Sequence, residues 1–324
     1  MPALLRSPLL AASLLALSGC GIVSSVATSA FYDDVEPGDT RVLPDLAYAA
    51  EEAGTGGDPK QRLDLFLPSP GLSGERPWPV VLFVHGGGWT EGDRGFTYGG
   101  EDIYGNVGRY MAAWGIGAAV ISYRLQPQAS WREQVADVAA ALAFVQDTVP
   151  AYGGDPGAVV LMGHSAGAQL AAHVAFDRAA RERAGAEPAC GIVPVSGVAY
   201  DLTDRATWES GADFDYYSVR FSPSREPADE APLEPETWQV DASAVTYVTP
   251  ESPPVHLVYA DGEADYFQTQ AEALARALEA AGVPYETSVM EAFNHEVGAL
   301  YLSREDKVAA PAAVEMARSC AGLQ

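Results

Sequence analysis

The chain has 324 residues, 48% of them hydrophobic, which is enough to bury the core of one large α/β domain or two small ones and too apolar for a disordered chain. Acidic side chains outnumber basic ones 44 to 19, for a formal net charge of -25, and Lys occurs only at Lys60 and Lys307. That balance argues against nucleic acid and anionic membrane surfaces as partners and fits a solvated acidic surface.

Residues 1–20 read as an export signal: Arg6 is the only charge, Leu9 to Leu17 is apolar, and small residues follow. The apolar core is too short to span a bilayer as a stable helix. Leu17-Ser18-Gly19-Cys20 resembles the bacterial lipobox, in which the Cys becomes the lipidated first residue, so Cys20 is the expected lipid attachment and a membrane anchor the expected partner. The protein is then exported to the cell envelope. A cut after Ala30 is the alternative, and would release a soluble periplasmic or secreted form. Cys190 and Cys320 remain, either paired in an oxidising compartment or as separate thiols.

Residues 21–60 are acidic and rich in Gly and Pro, a tether merging into the domain edge with one possible strand at Asp45 to Ala49. The domain proper occupies residues 61–324. Leu63 to Leu67 alternates weakly and ends at Pro68, which suggests an edge-side strand. Pro79 to Val84 and Gly117 to Tyr123 are continuous apolar runs, as expected for strands covered on both faces. A glycine-rich loop lies between them, and Trp131 to Val149 follows with apolar residues at helical spacing. Val159 to Met162 is apolar again, breaks at Gly163-His164-Ser165-Ala166-Gly167, and continues as Ala-rich, helix-favouring sequence. Gly191 to Ser196 reads as a strand weakened by Pro194. Residues 201–249 break the rhythm with Asp, Glu, Pro and aromatics, a composition suited to an inserted cap or lid. Strand Val255 to Tyr259, helix Thr269 to Ala281, strand Tyr285 to Met290 and a last helix near Asp306 to Arg318 complete the alternation. Strands alternating with helices indicate a mostly parallel sheet with helices on both faces.

Gly-His-Ser-Ala-Gly between a strand and a helix is the pattern of a nucleophile elbow, with Ser165 on the sharp turn and the helix N-terminus directing positive potential at it. The glycines at 163 and 167 are needed because a Cβ there would collide across so tight a turn. A serine nucleophile needs a base, an acid to orient the base, and donors for the oxyanion. Among five histidines, His164 is inside the elbow with its side chain expected to point away, His173 is two turns into the helix, His256 lies within a strand, and His85 belongs to a glycine motif. His295, in Ala292-Phe293-Asn294-His295-Glu296 just past the last strand, remains as the base. The acid falls in Asp261-Gly262-Glu263-Ala264-Asp265. Asp261 sits at the strand end and Glu263 offers a longer arm in the same turn. Asp265 is favoured, because the turn must reverse at Gly262 before a carboxylate can return toward His295. His85-Gly86-Gly87-Gly88-Trp89 directly follows an apolar strand and leaves backbone N–H groups uncovered. Gly86 and Gly87, with the N–H of Ala166 after the nucleophile, are the expected oxyanion donors. No metal-ligand spacing, dinucleotide fingerprint or phosphate loop competes, so neither metal nor cofactor is expected, and no protein partner is evident.

These residues, together with Ser122-Tyr123-Arg124-Leu125, Asp137, Tyr152-Gly153-Gly154-Asp155-Pro156 and Pro253-Pro254, resemble the α/β-hydrolase esterase/lipase group, nearest to its hormone-sensitive-lipase-like and bacterial feruloyl-esterase-like branch. The resemblance runs from Leu63 to the last helix. It implies the α/β-hydrolase fold and a catalytic Ser165, Asp265 and His295 acting on a small-molecule ester through an acyl-enzyme. Asp261-Gly262 departs from the His-Gly found before the acid turn in relatives, and residues 201–249 match no pattern of the group. Arg124, Asp137 and Asp155 read as scaffold ion pairs and turn formers. An amide-bond hydrolase of the same fold, such as an arylformamidase or peptidase, is the second reading, and a non-catalytic envelope lipoprotein the third. The acids and aromatics of the insert favour short acyl chains with aryl or sugar groups over long lipid chains.

Overall fold

A computed structural model describes residues 32, 34–35, 39–49, 57–68, 71–72, 76–226, 231–232, 234–292 and 294–323. Cys20 and the rest of the signal and lipobox lie outside the described residues. Eight strands make one sheet: β1 (Arg41–Ala47), β2 (Arg62–Leu67), β3 (Trp78–Val84), β4 (Gly117–Ile121), β5 (Gly154–His164), β6 (Gly191–Val195), β7 (Val255–Ala260) and β8 (Tyr285–Met290). Their spatial order is β1-β2-β4-β3-β5-β6-β7-β8. β2 runs antiparallel to both β1 and β4, and the remaining pairs are parallel. β1 is the edge, so β2 is interior rather than edge-side, and the strand expected at Asp45 to Ala49 begins four residues earlier, at Arg41. The weak alternation of β2 reflects a strand covered on both faces. Its Leu63 and Leu65 face one core while Phe66 faces the other.

The apolar runs occupy the middle of the sheet because both faces there are covered. In β3, Val80, Leu82 and Val84 point to one face and Val81 and Phe83 to the other, all with no exposure. Each such buried side chain contributes roughly 1.5–3 kcal/mol. The first face is covered by α2 (Trp131–Thr148), α3 (Ala166–Phe176), α4 (Arg178–Ala184) and α8 (Asp265–Ala281), and the second by α1 (Ile103–Ala113), α9 (His295–Leu300) and α10 (Ala309–Cys320). Ser130 and Glu133 cap α2 reciprocally, the Ser130 N–H donating to Glu133 Oε2 at 2.7 Å. Pro194 stands inside β6 opposite Gly163. It has no N–H to give, and on its other side the register passes from Ile192↔Val255 to Val195↔Val258.

Among its described residues the insert holds three short helices, α5 (Arg205–Glu209), α6 (Phe214–Phe221) and α7 (Thr237–Ala242). Asp204 and Asp213 cap α5 and α6, accepting from main-chain N–H groups of their first turns. Their aromatic faces join the first core: Phe221 lies 4.8 Å edge-on from Trp89, and Trp208 5.0 Å from Phe214. Cys190 and Cys320 form a disulfide across 130 residues, tying the start of β6 to the end of α10.

Candidate active site

β5 ends at His164 and α3 begins at Ala166, leaving Ser165 alone to turn the chain, with φ 55° and ψ -124°. Such a backbone is costly for a residue with a Cβ and persists only where the surroundings enforce it. Here the Ser165 N–H donates to Val195 O of β6 at 2.9 Å. A Cβ on Gly163 would fall on the main chain of Gly167, and one on Gly167 would fall on the carbonyls of Val84 and His85. Both glycines are therefore required by the close approach of helix and strand.

Ser165 Oγ lies 2.8 Å from His295 Nε2, and His295 Nδ1 lies 2.6 Å from a carboxylate oxygen. That carboxylate belongs to Glu263, not to Asp265. β7 stops at Ala260 and α8 starts at Asp265, so Asp265 is already helical and exposed, while the Glu263 side chain turns back under His295 with 1% exposure. Its second oxygen accepts the Ala260 N–H at 2.9 Å, which fixes the carboxylate against the end of β7. Asp261 takes a different part, accepting the Ala292 N–H at 3.1 Å and tying the acid turn to the histidine loop. An ionised carboxylate accepts only, so Nδ1–H donates to Glu263 and Nε2 is left to accept from the serine hydroxyl. His295 opens α9, whose N-cap Asn294 accepts the Val297 N–H. Its ring is held between Phe267 at 4.5 Å and His164 at 4.8 Å.

His164 therefore does not point away from the site, as its place in the elbow suggested. Burial, and then the neighbouring His295, hold its pKa well below the ordinary histidine range, so it stacks on His295 as a neutral ring. The other histidines are structural. His85 is buried at 4.3 Å from the Tyr123 ring, His173 packs on Trp131, and His256 bonds Ser288 Oγ at 2.9 Å.

In the glycine loop, Gly87, Gly88 and Trp89 all have positive φ. Burial pushes His85 down to about 4, and its Nδ1–H tautomer donates to Gly86 O at 2.6 Å. The Gly87 carbonyl accepts from Thr90 and Glu91. In a trans peptide the N–H opposes the C=O, so these bonds turn the N–H groups of Gly87 and Gly88 the other way. Gly87 lines both cavities beside Ser165 and Gly88 one of them. Burial pushes the Tyr104 pKa up to about 12, and Gly86 packs against the elbow, where a Cβ would stand 3.1 Å from His164 and from Ser165. Trp89 anchors the loop to α3, its Nε1 donating to Gln169 Oε1 at 3.1 Å. Tyr104 and Gln169 carry no motif and were not singled out in the sequence.

Two cavities meet at Ser165 and His295. One of about 420 Å³ is walled by Trp89, Val198, Asp213, Tyr216, Tyr217, Tyr266 and Phe267. The other, of about 510 Å³, is walled by Phe96, Tyr98, Tyr104, His164, Asn294, Glu296, Val297, Ala299 and Leu300. Among the described acids of the insert, Asp213 alone lines either of these two cavities; Asp201 and Asp204 are spent on local turns and caps. Arg124 and Asp137 form the expected scaffold pair, with Asp137 buried and Arg124 Nη2 at 2.7 Å.

Comparison with known proteins adds family and fold. Residues 63–278 match the family described as BD-FAE. Isoprenylcysteine alpha-carbonyl methylesterase ICME of Arabidopsis thaliana is 37% identical over 131 residues, 40% of this chain and 28% of that protein. Esterase LipQ of Mycobacterium tuberculosis is 31% identical over 252 residues, 74% of this chain and 55% of that protein. The chain thus spans under a third of the plant relatives and about half of the mycobacterial one. Among solved structures, esterase B from Lactobacillus rhamnosis superimposes with a TM-score of 0.69 at 23% identity, covering 96% of this chain and 94% of that one. The fold is that of the α/β hydrolases.

Proposed function

The chain belongs to the BD-FAE family, and from that membership and the site geometry we propose that it is a serine carboxylic-ester hydrolase working through an acyl-enzyme. The observation that carries this is the unbroken hydrogen-bond chain from Glu263 through His295 to Ser165. Ser165 Oγ bonds to the ester carbonyl carbon as its proton passes to His295 Nε2, and the buried Glu263 carboxylate stabilises the imidazolium. The oxyanion forms within reach of the N–H groups of Gly87, Gly88 and Ala166, the last at the open N-terminus of α3. Collapse breaks the bond to the alcohol oxygen, which takes the proton from His295. Water then repeats the sequence on the acyl-enzyme and frees the acid.

The tyrosines and Asp213 in the smaller cavity support a short acyl chain with an aryl or sugar alcohol: phenols and a carboxylate hydrogen-bond or stack on such groups, and the carboxylate repels a fatty-acid product. A chain-length series of nitrophenyl esters tests both parts. Wild type should turn over acetyl to roughly butyryl esters best, and Ser165→Ala should lose about four orders of magnitude or more in kcat. Near-wild-type activity in Ser165→Ala overturns the nucleophile, and an optimum at about ten carbons or more, a length that an extended apolar cleft would bury, overturns the short-chain reading. For cellular placement, the lipobox-like Leu17-Ser18-Gly19-Cys20 supports a lipid anchor at Cys20.

A further inference from the structure

The three glycine-loop carbonyls are held in different ways. Those of Gly86 and Gly87 are held from within the loop, by His85 Nδ1 and by the amides of Thr90 and Glu91. The Gly88 carbonyl is held from 132 residues away, accepting from Arg220 Nε of α6 at 3.1 Å. Arg220 is itself fixed. Its Nη1 donates to Tyr216 O at 2.8 Å, and its guanidinium lies 3.4 Å from the Tyr216 ring centroid. The Tyr216 hydroxyl stands where a Cβ on Gly88 would be. The helix end is tied down as well, with Gln126 Nε2 donating to Arg220 O and Trp131 Nε1 to Phe221 O, both at 3.2 Å.

Resting on the ester-hydrolase reading above, we propose that Arg220 is a positioning residue for the oxyanion hole. Through it α6 of the insert sets the orientation of the Gly87–Gly88 segment, so that the substrate-facing wall and the hole form one unit. Glycine populates positive and negative φ about equally, so an unrestrained Gly88–Trp89 peptide can rotate. Rotation would swing the Gly88 carbonyl, the negative end of the peptide dipole, toward the developing oxyanion and displace the neighbouring N–H. Arg220 prevents this with a charge-assisted bond whose planar fork is already immobilised on Tyr216. Arg220 lines neither cavity beside Ser165, and its effect should appear where transition-state charge is stabilised.

The test compares wild type, Arg220→Ala and Arg220→Lys on a nitrophenyl butyrate, with thermal melts of each. Arg220→Ala should lower kcat by about 10- to 100-fold, less than outright removal of an oxyanion donor. KM should stay within about threefold, because ground-state binding is not what the residue supports. Added guanidinium at millimolar concentration should restore part of kcat in Arg220→Ala and leave wild type unchanged. Arg220→Lys should recover less, since one ammonium cannot supply both forked bonds, and it serves as the test variant should Arg220→Ala fail to fold. An unchanged kcat, a loss confined to KM, or a loss that follows the melting temperature and is not rescued by guanidinium overturns the positioning role alone. Absence of wild-type turnover overturns the ester-hydrolase reading and this inference with it.

Discussion

At the scale of single residues, the turn from β7 to α8 decides which carboxylate serves the histidine. Glu263 to His295 at 2.6 Å, with the Ala260 N–H on its other oxygen, leaves no task for Asp265. Glu263→Gln should therefore lower kcat by about 10³- to 10⁴-fold, because the amide favours the wrong imidazole tautomer, while Asp265→Ala stays within a few-fold of wild type. Ester kinetics on the two variants check this, and the opposite ranking restores Asp265. Ser165 and His295 were legible in the sequence, the first from its motif and the second by elimination. The acid was not, because three carboxylates share one five-residue turn and the choice depends on where α8 starts. The chain turns at Asp261-Gly262, and the longer arm of Glu263 reaches His295 two residues before Asp265. Buried histidines give a second expectation. Burial pushes His85 down to about 4 from 6.5 and His164 well below, so in acid the unfolded chain binds protons that the folded one does not. Stability is then complete above about pH 6.5 and lost as pH falls toward 4, with His85 alone accounting for about 3 kcal/mol. Urea melts across this range should show the fall, and a midpoint that does not move between about pH 7 and 4.5 contradicts it.

At the scale of elements, the sheet was legible where burial dictates composition. β3, β4 and β5 are apolar on both faces because helices cover both, and such runs announce themselves. The insert was legible only as an interruption. α5, α6 and α7 are 5, 8 and 6 residues long, too short to establish an apolar period. Composition showed that the insert is acidic but not which acids face the site: Asp204 and Asp213 start helices, and of these two Asp213 also lines a cavity. Nothing in the sequence decided whether Cys190 and Cys320 pair, since that depends on α10 returning to the start of β6. The bridge closes a span of 130 residues, for which loop-closure entropy gives a stabilisation of about 5 kcal/mol. Replacing both cysteines by Ser should lower the urea midpoint accordingly and leave kcat of the folded protein unchanged, because Cys190 lies at the end of β6 opposite Val195, which holds Ser165. Equal midpoints with and without the bridge contradict the estimate.

At the scale of the whole molecule, one continuous sheet carries every part of the site: the glycine loop after β3, the elbow after β5, the acid turn after β7 and the histidine loop after β8, all at the same edge. These parts lie between His85 and His295, far along the chain from the first 30 residues. Protein expressed without them should retain its activity, while mass spectrometry of the full chain from a membrane fraction should find a lipidated N-terminal Cys20; an unmodified chain starting at Phe31 contradicts the anchor. The central claim is that Ser165 is an activated nucleophile, and reaction with a fluorophosphonate probe, read by mass spectrometry of the intact and digested protein, tests it most directly. One phosphonyl group is expected on the peptide containing Ser165 in wild type and in Asp265→Ala, and none in Ser165→Ala or His295→Ala. Unlabelled wild type, or equal labelling of Ser165→Ala, would contradict it.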